Sequence, residues 1–215
     1  MMTETFIHHF GSWEAAEARR WKNADGSPGG IVALTAIIDP SARIAETAEV
    51  GPEANIGVAI IAKDAIIGVG ARIGRGAWIA DGARIGDGAR IDTGVNIDWN
   101  AHIGSGAHIG SYAQIGDGVI IGCDVSISSG VLYEHGDWLY VAGPQGSRNA
   151  YATAVWSPQH GLRWWVGCQR GISTEELLAR IQQDHGDNSH GDDYRYLIQM
   201  VTNHPDLMRA MEAKS

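Results

Sequence analysis

Cysteine and phenylalanine are scarce in this chain, two of each in 215 residues, and the scarcity of cysteine excludes several classes of protein. Cys123 and Cys168 stand in no Cys-x-x-Cys or Cys/His spacing, so neither a zinc site nor a disulfide framework is signalled. Both read as buried thiols. Long apolar runs are missing too: no segment reaches the roughly 20 apolar residues of a membrane span. Met1 to Phe10 also lacks the basic region and apolar stretch of a signal peptide, so a reducing cytoplasm is the expected location. Positive charge is in deficit, 16 Lys and Arg against 25 Asp and Glu for a net charge of −9. That balance argues against a nonspecific nucleic-acid binder, because a phosphate backbone demands concentrated Lys and Arg.

What the chain has instead is a period. Isoleucine occupies positions 61, 67, 73, 79, 85, 91, 97, 103, 109, 115, 121 and 127 without an insertion. The fifth place of each hexad is Ala or Val, from Ala65 and Ala71 through Val125 and Val131, so two places per hexad point inward. The fourth place is mostly Gly, with Asn100 and Asp124 substituting, the residue types that tolerate positive φ at a corner. An earlier run, Val32, Ile38, Ile44, Val50 and Ile56, keeps the period, but Ile56 to Ile61 is one residue short and predicts a clipped corner. Repetition this short and regular marks a solenoid.

The string I-G-x-G-A-x resembles the hexapeptide-repeat family of acyltransferase-like proteins. The resemblance covers about half of the chain and implies a left-handed parallel β-helix with three hexads per turn, so that residues 18 apart stack as neighbouring strands about 4.8 Å apart. The fold class expected is mainly β, with a short N-terminal helical cap over residues 1–30, the β-helix over 31–132 and a C-terminal α+β module over 133–215. The cap is read as a helix from Ser12 to Lys22, with Trp13 and Trp21 on one face against the first coil.

Membership in that family implies a homotrimer, with sites between neighbouring prisms, and transfer of an acyl group from a coenzyme A or carrier-protein thioester to a small hydroxyl or amine. Such chemistry needs one base, a histidine, and backbone N–H groups for the oxyanion. In relatives that base stands at the third hexad place in an I-x-H-[DN] string. The matching string here is Ile97, Asp98, Trp99, Asn100, and an indole N–H is a donor without useful basicity. The base is therefore absent or moved. His102 and His108, at sixth places, are the candidates to replace it, and His108 also matches a downstream His of sialic-acid-type relatives. Asp92, Asp98 and Glu134 are the acids that could orient a base; His135 is a further candidate in the linker, and His8 and His9 have less context.

Adding 18 turns the sequence into columns. One reads Arg72, Arg90, His108; the next reads Arg84, His102; the third reads Trp78, Asn96, Gln114. Two guanidinium groups about 5 Å apart repel by roughly 3 kcal/mol at an effective ε near 20 and by under about 1 kcal/mol in water. Either they splay into solvent or pair with Asp81, Asp87 or Asp92, or they hold an anion such as a carrier phosphate or nucleotide-like ligand. The ligand-binding set read from the sequence is thus Arg72, Arg84, Arg90, Asp98, Trp99 and Asn100, with no metal site.

After Leu132 the period stops. Trp138 to Gly143, Asn149 to Trp156 and Leu162 to Cys168 read as strands, with Ser157 to Gly161 a hairpin turn. Ser173 and Glu176 form a capping box opening a helix with Leu177, Leu178 and Ile181 on one face, ended near Gly186. A second helix, about Asp192 to Asn203, carries Tyr196, Leu197, Met200 and Val201 as its stripe, and Pro205 punctuates it. The strings G-S-R-N-A at 146–150, V-G-C-x-x-G at 166–171 and H-G-D-N at 185–188, with Tyr194 and Ile198, resemble a small uncharacterised bacteriophage and prophage module. Ser147 and Arg148 in it could bind an anion. Beside acyl transfer stand two other readings: a noncatalytic phage or prophage trimer that binds a host protein through this module or sequesters an anionic nucleotide-like ligand, and a rigid structural rod.

Overall fold

The computed structural model describes residues 4–10, 15–134, 136–145, 150–167 and 169–212. Its contacts divide the chain into two units, Met1–Ser126 and Ile127–Ser215.

The first unit is the expected parallel β-helix. Two-residue strands fall every hexad, and each pairs in parallel with the strand one turn on: Ile73 with Ile91, Ile91 with Ile109, Ile79 with Ile97, Ile85 with Ile103. Three parallel sheets result, one along strands 49–50, 66–67, 84–85, 102–103 and 120–121, a second along 37–38, 55–56, 72–73, 90–91 and 108–109, and a third along 43–44, 60–61, 78–79, 96–97 and 114–115. Adjacent residues of a strand face opposite ways. The sixth-place residue, such as Arg90 or His102, therefore lies outside while the following isoleucine is buried. Fifth-place alanines fill the space where two walls converge, and Ala65, Ala71, Ala83, Ala89 and Ala101 are fully buried. Burying a stacked isoleucine contributes roughly 1.5–3 kcal/mol, and the stack supplies one at nearly every hexad.

The corners are left-handed as read, with φ of +55° at Asn100 and +57° at Asp124, and the clipped corner joins strand 55–56 to strand 60–61. Tyr112 was not read as a corner residue, yet it has φ +61° and its ring lies over Gly94.

The N-terminal segment is not a helix. Thr5–His9 and Ala15–Lys22 form an antiparallel hairpin that continues through Pro28–Ala33 into the first sheet, where Ile31 pairs with Glu49. Ala, Glu, Arg and Lys favour helix locally, but the first coil leaves backbone groups unpaired at its edge, and pairing there outweighs a propensity of a few tenths of a kcal/mol per residue. Trp13 lies outside the described residues. Asn23 closes the third sheet at strand 43–44: its Oδ1 accepts from Ile44 N at 2.9 Å and its Nδ2 donates to Ile44 O at 3.1 Å, so one side chain serves as a missing strand.

In the second unit, strands Trp138–Gln145, Ala150–Ser157, Gly161–Val166 and Gln169–Ile172 form an antiparallel sheet. Trp156, Trp164 and Val166 on one face pack with helices α1 (Thr174–Asp184), α2 (Ser189–Thr202) and α3 (Pro205–Glu212). The Ser173–Glu176 capping box opens α1 as expected. Three expectations are corrected. The buried stripe of α2 is Tyr194, Leu197, Ile198 and Val201, which leaves Tyr196 and Met200 exposed, and on α1 Leu178 is exposed as well. The expected stop before Pro205 is present, α2 ending at Thr202, and Pro205 itself opens α3, because proline fits the first helical position. Cys123 is exposed, since the third hexad place turns outward. Ser147, Arg148, His135 and Cys168 lie outside the described residues. No helix among the described residues is long and apolar enough to cross a membrane.

Candidate functional site

The strand register settles which predicted residues meet. Arg72, Arg90 and His108 stack as read, in direct parallel register on one face. Two residues after Arg90, at the second hexad place, Asp92 reaches the same face. Its Oδ2 lies 2.9 Å from His108 Nε2, and Arg90 Nε donates to its Oδ1 at 3.0 Å. Burial works against the Asp92 carboxylate, yet the hydrogen bonds from His108 and Arg90, together with their charge, outweigh it and hold its pKa below the ordinary 3.8. An ionised carboxylate is acceptor-only, so the nitrogen facing it donates. That assignment, inferred from the partner rather than seen, leaves Nδ1 of a neutral His108 ring with a free lone pair.

Arg90 thereby pairs with Asp92, whose negative charge offsets part of the repulsion expected between the two guanidiniums. Arg72 is exposed, and its guanidinium makes no hydrogen bond or ion pair among the described residues. Asp92 is one of the three acids, with Asp98 and Glu134, that the sequence offers to orient a base. The signal was the spacing Arg90-x-Asp92 with a histidine 18 residues after the arginine.

Arg84 and His102 pair on another face. They line a cavity of about 510 Å³ with Phe10, Ile66 and Asp87. The acid there is engaged elsewhere, Asp87 Oδ1 accepting from Val69 N at 2.8 Å. No hydrogen bond orients His102 among the described residues.

Asp98, Trp99 and Asn100 occupy the corner between strands 96–97 and 102–103. Asp98 Oδ1 accepts from Trp99 N at 3.1 Å, Trp99 O accepts from Gly118 N at 2.8 Å, and the indole is 59% exposed. The predicted set therefore falls into three places on one chain: the Arg72–Arg90–His108 face, the Arg84–His102 face and the Trp99 corner. Only the first joins a histidine to a carboxylate. Among the described residues no three His, Cys, Asp or Glu side chains gather as a metal site.

No family model matches the chain, and no curated protein matches it. Solved structures do. A perosamine N-acetyltransferase from Caulobacter crescentus, in complex with CoA and GDP-perosamine, is 17% identical over 48% of this chain and 51% of its own, with a TM-score of 0.22. The acetyltransferase domain of PglB from Neisseria gonorrhoeae, in complex with acetyl coenzyme A, is 22% identical over 52% and 53%, with a TM-score of 0.27. A UDP-N-acetylglucosamine acyltransferase from Francisella novicida is 15% identical over 84% and 90%, with a TM-score of 0.28. The chain spans about half the length of the first two.

Proposed function

We propose that this chain is a divergent acyltransferase, moving an acyl group from a coenzyme A or carrier-protein thioester to a small hydroxyl or amine, with His108 as its base. The observation that carries the reading is the 2.9 Å contact between His108 Nε2 and Asp92, on an open face beside two arginines. Asp92 acts as a positioning residue that fixes the imidazole with Nδ1 free. The acceptor oxygen or nitrogen attacks the thioester carbonyl while Nδ1 takes its proton. The tetrahedral intermediate then collapses, the C–S bond breaks, and the imidazolium returns the proton to the departing thiolate. Arg72, with Arg90, holds the anionic part of the donor. The reading includes a homotrimer in which a neighbouring prism covers this face, a state that sedimentation measures. His102 is the rival base, and its lack of an orienting acid weighs against it.

The test is thiol release from acetyl coenzyme A with a panel of amino-sugar, sugar and amino-acid acceptors. Turnover should fall by roughly 10²-fold or more in His108→Ala. Absence of turnover with every acceptor, or equal turnover in the variant, overturns the reading.

A second reading is favoured by Trp99 at the place of the family's base and by an Arg72 guanidinium with no partner among the described residues: a noncatalytic trimer of phage or prophage type that binds an anionic nucleotide-like ligand, or a host protein through residues 133–215. Here nucleotides raise the melting temperature of the wild type, Arg72→Ala abolishes the rise, and no acceptor supports turnover.

A further inference from the structure

The C-terminal unit contains a cleft of about 300 Å³ that takes no part in the chemistry above. One wall is made by Leu132, Glu134 and Asp137, and the other is the face of the antiparallel sheet turned away from the helices. On that face Val155 stands opposite Arg163, Thr153 opposite Trp165, and Ser157 opposite Gly161. Glycine at 161 and 171 leaves the room: a Cβ at Gly161 would meet no atom within 4 Å, and both backbones have positive φ that disfavours a side chain.

The floor is apolar and fixed. Trp165 is 6% exposed, and its Nε1 donates to Gly130 O at 2.9 Å, which pins the ring beside Val155. Arg163 is pinned as well, its Nε donating to His160 O at 2.9 Å, so the guanidinium plane is set. Its two terminal nitrogens make no hydrogen bond among the described residues, and that pair of N–H groups is the fork that fits a carboxylate. Glu134 and Asp137 line the same cleft, Asp137 Oδ2 accepting from Glu134 N at 3.0 Å, and no ion pair joins Glu134 to Arg163 among the described residues. Glu134 and Asp137 thus bring negative charge into the same cleft as the Arg163 guanidinium, whose charge also acts on Glu175 of α1, so both signs are presented to whatever enters. Ser157 adds a buried hydroxyl whose oxygen accepts from His160 N at 3.2 Å, leaving its hydrogen to donate.

We propose that this cleft binds a small zwitterion with an apolar body, of the class of the apolar amino acids: carboxylate on Arg163, ammonium toward Glu134, side chain against Trp165 and Val155. Its volume lies at the lower end of small-molecule sites, as such a ligand requires. The site shares no residue with the His108 face, so the two readings stand or fall separately.

The test is isothermal titration of the full chain with L-phenylalanine and L-leucine, against phenylpropanoate, which lacks the ammonium, and phenethylamine, which lacks the carboxylate. The zwitterions should bind, and each truncated probe should bind at least about tenfold more weakly than phenylalanine. Arg163→Met and Glu134→Gln should each weaken phenylalanine by a similar factor, with the melting temperature of each variant checked for folding. The truncated probes keep the test decisive if either variant fails to fold. No binding by either amino acid, equal binding by a truncated probe, or indifference to both folded variants overturns the proposal.

Discussion

Two faces of the coil carry the same sequence device, a histidine 18 residues after an arginine, and only one of them becomes an acid–base pair. Arg84 and His102 stand in the same register as Arg90 and His108. The difference lies in one residue at the second hexad place, Gly86 on the first face and Asp92 on the second. Gly86 has no room for anything else, since a Cβ there would lie 2.5 Å from Ser105 N. A strict repeat thus positions backbone with great regularity, while the chemistry depends on which rare place departs from glycine.

The comparison can be broken hardest at the histidines. His108→Ala should reduce thiol release by roughly 10²-fold or more, while His102→Ala leaves it close to wild type. The reverse order would move the site to the other face. Next in size is Gly86→Asp, which attempts to give His102 the acid it lacks. The close approach of the neighbouring coil predicts destabilisation on the order of 1–3 kcal/mol, read as a lowered urea midpoint; an unchanged midpoint would show that the coil yields there. Asp92→Asn should cost about 1 kcal/mol or less near pH 7. Because the folded pKa of Asp92 is depressed, its contribution is present above the ordinary carboxylate value of 3.8 and fades as pH falls through the lowered one. The gap in melting temperature between wild type and Asp92→Asn should therefore shrink as pH falls below 3.8; a gap that does not shrink there would mean that the carboxylate charge is not what stabilises. The smallest effect is expected at Tyr112→Gly. Relief of a left-handed tyrosine, about 1–2 kcal/mol, is largely offset by glycine's added freedom in the unfolded chain, about 0.4–1 kcal/mol. A slightly raised melting temperature is the expected result, and a large drop would assign the ring over Gly94 a packing role.

The β-helix was legible because its signal is non-local and repeated: isoleucine, alanine and the corner glycines agree at every hexad, and even the missing residue between Ile56 and Ile61 landed as a short corner. The N-terminal hairpin was not, since Ala15–Lys22 looks helical in isolation and becomes a strand only because the first coil offers it an edge. Pro205 was legible as the stop of α2, and it opens α3 as well, since proline forbids the middle of a helix and favours its start. For the site, the columns Arg72–Arg90–His108 and Arg84–His102 followed from arithmetic on the repeat. That Asp92 rather than Asp98 or Glu134 is the acid facing His108 did not, because the pairing depends on side-chain reach between coils, which no periodicity encodes.

The two hydrogen bonds between Asn23 and Ile44 have a consequence for the solution behaviour of the protein. A column of parallel rungs is a template, and its exposed first rung invites the last rung of another molecule, the route by which solenoids polymerise into fibres. One amide side chain, occupying both the donor and the acceptor that such a fibre needs, terminates growth at that sheet without adding a strand.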